Sequence, residues 1–119
     1  MSLYHPASGE LIDIRPLGDR LTDSASIALV RTEDFEVMRL VLPKGKSIPE
    51  HTVEGELTLQ CLEGIVEVQA QGKNQQLQPG QLIYLQGKTP YAINALDNAS
   101  VLMTMLRKGD DSKGNGGSM

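Results

Sequence analysis

The chain has 119 residues, a net charge of −4, 39% apolar residues, no Trp and a single Phe, Phe35. That leaves room for one domain, with a core that must come from Leu, Ile, Val and Met. The acidic balance and scattered Lys and Arg exclude a basic nucleic-acid face, and the lone Cys61 excludes an intrachain disulfide.

The opening stretch M-S-L-Y-H-P-A-S-G-E has neither the basic n-region nor the apolar h-region of a signal peptide. No apolar run reaches membrane-spanning length. The expectation is a cytoplasmic protein with no membrane partner and no nucleic-acid partner.

Residues 1–9 read as a flexible lead, with His5-Pro6 and Ser8-Gly9 as loop signals. Residues 10–17 alternate weakly and predict an edge strand, with Pro16 ending its pairing. Residues 26–32 form the next short strand, and residues 35–42, F-E-V-M-R-L-V-L, a stronger one closed by Pro43 and Gly45. Residues 57–62 and 65–70 flank a tight reversal at Glu63-Gly64. A turn at residues 71–74 follows, then Gln76-Leu77-Gln78 leads into Pro79-Gly80. Strands at 82–85, 91–96 and 101–107 complete the series, and residues 109–119 form a disordered tail. Short strands punctuated by Gly and Pro predict an all-β sandwich or barrel with under about a tenth of its residues in helix.

Two motifs sharpen the fold. Residues 45–64 read G-K-S-I-P-E-H-T-V-E-G-E-L-T-L-Q-C-L-E-G. Residues 79–91 read Pro79-Gly80-Gln81, Leu82-Ile83-Tyr84-Leu85, then Gly87-Lys88-Thr89-Pro90-Tyr91. The first resembles the cupin pattern G-x5-H-x-H-x3–4-E-x6-G, matched at Gly45, His51 and Gly64. The second resembles the P-G-D motif that precedes the last metal histidine of that superfamily. The resemblance spans roughly residues 35–107. It implies a small RmlC-like cupin: a single antiparallel β-barrel of the double-stranded β-helix (jelly-roll) type over residues 10–108.

The same resemblance maps the four metal ligands onto His51, Val53, Leu57 and Tyr91, of which only His51 is a good donor. Glu56 lies one residue before the glutamate position, where strand alternation aims it at the opposite face. Glu50 and Glu54 sit nearby in a loop. A zinc site needs three or four protein ligands, and the chain has two histidines, His5 and His51. No bound metal and no cofactor are expected.

With Leu57 turned inward, Leu59 and Cys61 also face the cavity, while Thr58, Gln60 and Leu62 face outward. The expected pocket comprises His51, Tyr91, Leu57, Leu59 and Cys61, an apolar cavity with a few polar atoms that suits a small-molecule ligand. The residues leave His51 open between a loop-bonded histidine and a ligand or base, and Tyr91 between a packed aromatic and a functional phenol. Cys61 reads as a small buried hydrophobe. Arg39 is either a snorkelling surface arginine or a bidentate anion ligand inside the barrel. Met38, Met103 and Met105 read as core filler.

Two functions compete. One is a metal-free small-molecule-binding module; the other is an enzyme in which His51 and Tyr91 act as acid and base, as in the cupin-like sugar epimerases. Those enzymes are longer and carry extra basic residues that this chain lacks. Residues 35–42 are apolar on both faces apart from Arg39, so one face needs a cover. Residues 10–17, pairing with a partner's sheet, would supply it, and a homodimer is expected.

Overall fold

A computed structural model describes residues 6–107, so residues 1–5 of the expected lead and the expected tail 109–119 lie outside them. Nine strands form two antiparallel sheets: β1 (Ile27–Arg31), β2 (Phe35–Leu42), β3 (Ser47–His51), β4 (Leu57–Glu63), β5 (Val66–Ala70), β6 (Lys73–Leu77), β7 (Leu82–Leu85), β8 (Tyr91–Ala95) and β9 (Ala99–Leu106). The larger sheet has the order β1-β2-β9-β4-β7 and the smaller β3-β8-β5-β6. The one helix among the described residues is a single 3-10 segment, Gly18–Asp23.

Alternation builds the core between the sheets. In β4 Leu57, Leu59 and Cys61 are buried while Thr58, Gln60 and Leu62 are only partly covered. Antiparallel partners share a face. Met38, Met103, Leu59 and Ile83 therefore make one inner row, and Glu36, Met105, Leu57 and Leu85 the next. Val66 and Val68 on β5 and Tyr91, Ile93 and Ala95 on β8 close on them from the smaller sheet. Each fully buried Leu, Val or Ile contributes about 1.5–3 kcal/mol relative to exposure, so burial along this seam dominates the stability.

Gly64 makes the β4–β5 reversal at φ +78, and a β-carbon there would collide with the Asn98 carbonyl and Ala99. That is a physical reason for glycine at the end of the first motif.

Residues 10–17 correct one expectation, because they form no strand. They run as irregular chain that packs on the outer face of β2. There the Arg39 side chain donates to the carbonyls of Asp13 and Arg15, at 3.1 and 3.2 Å. Leu21 of the 3-10 segment is buried, and the Ser26 hydroxyl accepts from Val41 N–H at 2.8 Å. The cover that β2 requires is therefore supplied within the chain.

Two strands lie outside the predicted set. β3 carries Pro49 and is the edge of its sheet, with a register irregularity between Ile48 and His51, where a missing N–H is tolerated. β6 is the opposite edge, and its first four residues, Lys73 to Gln76, are all exposed and polar, so no period-2 signal marks it.

Candidate functional site

His51 ends β3 and Tyr91 begins β8, as direct cross-strand partners. Their rings meet edge to face, with centroids 6.0 Å apart at 77°. His51 is exposed, whereas Tyr91 is buried and points its hydroxyl at Met103 Sδ, 3.7 Å away in the core. Burial pushes the Tyr91 hydroxyl above the ordinary phenol value of 10.0. Leu57, Leu59 and Cys61 lie in the packed core below. Of the five residues, Leu57, Leu59, Cys61 and Tyr91 belong to one buried core, with Cys61 at the Glu63–Gly64 end of β4, and only His51 meets solvent.

Cys61 Sγ donates to the carbonyls of Glu63 and Gly64, at 3.4 Å each. Burial pushes its thiol up, and the nearby Glu63 charge acts in the same direction. A thiol so placed is a poor nucleophile.

The cupin metal set does not fit these residues. Val53 packs against the core, Leu57 is buried within it, and the Tyr91 oxygen is directed at a thioether. Glu56, the one carboxylate near the glutamate position, accepts a hydrogen bond from Tyr84 on the outer face of the larger sheet. Glu50 and Glu54 are exposed. Among the described residues no three His, Cys, Asp or Glu side chains converge.

Glu36 escaped the sequence reading. It is 8% exposed on the inner row with Met105, Leu57 and Leu85, and it makes no ion pair among the described residues. Its two-residue spacing from Met38 in F-E-V-M was the available signal. Partly buried Met38, Val53 and Met105 pack against the core, Met105 in the Glu36 row and Met38 in the row beside it.

A second constellation lies outside the barrel. Arg39 is neither a snorkelling surface residue nor a barrel-interior one: it is 7% exposed on the outer face, beneath residues 13–17. Nearby, Glu63 accepts from Leu17 N–H at 2.9 Å, Gly18 N–H at 3.1 Å and the buried Ser100 hydroxyl at 2.6 Å. Burial works to raise the Glu63 carboxyl, but these bonds and the Arg39 charge outweigh it and hold it below 4.5. A cavity of about 410 Å³ opens at this seam. A shallower groove of about 620 Å³ crosses the outer face of the smaller sheet, between Ser47, Gln69, Asn74 and Asn94.

The fold is that of the cupin superfamily. A conserved protein of unknown function from Streptococcus pyogenes superposes with a TM-score of 0.69 at 22% identity, over 90% of this chain and 96% of that one. A cupin superfamily protein from Desulfitobacterium hafniense gives 0.69 at 20% identity, over 81% and 94%. An RmlC-like cupin from Desulfovibrio desulfuricans gives 0.68 at 23% identity, over 83% and 99%. No family model matches the chain, and no curated protein does either. This likeness defines a small cupin-like jelly roll. No described helix is long and apolar enough to cross a membrane.

Proposed function

We propose that this chain is a binding module that takes a small, largely apolar molecule at the His51 end of the barrel, without metal and without proton transfer. The supporting observation is the direction of the Tyr91 hydroxyl. It is turned away from solvent onto Met103 Sδ and raised by burial, so it has no route to a substrate held near His51. An acid–base pair needs both groups facing one reacting atom. Here the imidazole rests on the edge of a buried ring instead.

Binding at this end draws on Met38, Met103 and Met105, whose unbranched side chains re-pack easily to admit a ligand. His51 and Glu36 supply the polar contacts that orient it. The test is titration of a small-molecule library watched through the methionine methyl resonances. A ligand of this site shifts Met38 and Met105 and loses affinity on His51→Ala. Binders that leave those methyls unmoved would contradict the assignment. Solvent deuterium entering a bound carbonyl or sugar, lost in both His51→Ala and Tyr91→Phe, would establish the epimerase-type reading instead.

The homodimer stands as a proposal on different ground from the one the sequence offered. Leu82 and Tyr84 are 55% and 53% exposed on edge strand β7, in outer rows shared with Leu102 and Thr104. A second copy laid across this face would cover them.

A further inference from the structure

A buried guanidinium is costly unless its donors are bonded and its charge is answered. Arg39 has the first only in part. Its Nη2 donates to two neutral carbonyls, those of Asp13 and Arg15, while its buried Nε has no acceptor. Among the described residues no carboxylate lies within ion-pair distance of it. Backbone carbonyls accept hydrogen bonds but cancel no charge.

The cavity of about 410 Å³ over this residue is lined by Asp13, Arg15, Pro16, Leu17, Arg20 and Arg39. Three of these six are arginines. Arg15 is already matched, because its Nη2 lies 2.8 Å from Asp13 Oδ2 and its Nε 3.0 Å from Oδ1. Glu63 is committed to its donors from Leu17, Gly18 and Ser100. That leaves the guanidiniums of Arg20 and Arg39 with no carboxylate within ion-pair distance among the described residues, the charges of Glu63 and Asp13 reaching Arg39 only from farther away.

We propose that this seam between the N-terminal segment and β2 binds an oxyanion group of a small molecule, with Arg20 and Arg39 as its ligands and a phosphate monoester as the preferred form. Two planar guanidinium forks match the geometry of a tetrahedral dianion and balance its charge. A carboxylate offers the same bidentate chemistry with half the charge, and so is the weaker ligand. The site is independent of the His51 end of the barrel and stands whether or not that end binds anything.

The experiment titrates the full chain with inorganic phosphate, glycerol phosphate and acetate, against sodium chloride at matched ionic strength. It follows the arginine Nε–H resonances and the amides of Leu17 and Gly18. The expected result is a saturable shift of Arg39 and Arg20 with phosphate and glycerol phosphate. Arg20→Gln, a change at an exposed residue that leaves the fold intact, weakens glycerol phosphate binding about tenfold. Tighter binding of acetate than of phosphate would reassign the site from phosphates to carboxylates within the same oxyanion chemistry. Shifts no larger than chloride produces, or an Arg20→Gln variant with full affinity, would overturn the proposal.

Discussion

The two ends of the chemistry in this chain differ in where they keep water. At the barrel interior Leu57, Leu59, Cys61 and Tyr91 are sealed in the core, and the one exposed polar group of the five is His51. On the outer face of β2 and β4 the reverse holds: Arg39, Glu63 and Ser100 form a charged, hydrogen-bonded seam under residues 13–18. Of the four positions that the cupin resemblance maps onto metal ligands, Val53, Leu57 and Tyr91 are here packing positions and only His51 is exposed. Most of the charge that the fold holds tightly lies instead where the N-terminal segment is pinned to the sheet. Fold alone therefore says little about site, and side-chain placement decides it.

The contrast breaks first at the core. Leu59→Ala removes a fully buried side chain from the middle of β4 and is expected to cost about 2–5 kcal/mol in denaturant unfolding. A cost near zero would mean that the interior is a ligand cavity rather than packing. The seam ranks next. Glu63→Ala strands two backbone N–H groups and the Ser100 hydroxyl, an expected loss of about 1–3 kcal/mol. The loss should be accompanied by faster amide exchange at Leu17 and Gly18.

Acid probes the same seam. The folded Glu63 carboxyl lies below its ordinary 4.5, so its stabilisation is complete above that pH and is lost as pH falls through the folded value. Amide exchange at Gly18 should accelerate below about pH 4.5, and Glu63→Gln should flatten that dependence. The smallest effects belong to the two residues that resemble a catalytic pair. Tyr91→Phe deletes a hydroxyl whose partner is a thioether, and His51→Ala trims an exposed ring. Each is expected to change stability by only about 0.5 kcal/mol. Light scattering at micromolar concentration should give a dimer that Tyr84→Lys dissociates.

How much was legible follows from the same physics. The strands around β2, β4, β5, β7, β8 and β9 announced themselves because half-buried strands must alternate or run apolar. β6 stayed silent since Lys73-Asn74-Gln75-Gln76 buries nothing, and β3 because Pro49 masks an edge strand. Residues 10–17 misled for an instructive reason. Leu11, at 97% exposed, supplied part of the apparent alternation yet packs against nothing among the described residues. Gly45, His51 and Gly64 carried the fold resemblance, and the register of Leu57, Leu59 and Cys61 was readable from period 2 alone. The Arg39–Glu63 seam was not, since it joins residues 24 to 46 positions apart through backbone carbonyls and N–H groups that no local pattern records.

The central claim is the proposal that this cupin-like fold works without a metal. Elemental analysis of protein purified in the absence of chelator tests it most directly. The account predicts no stoichiometric transition metal, because Val53 and Leu57 have no lone pair to give and the Tyr91 hydroxyl faces Met103. Near one equivalent of Zn, Mn, Fe, Ni or Cu, lost on His51→Ala, would contradict it.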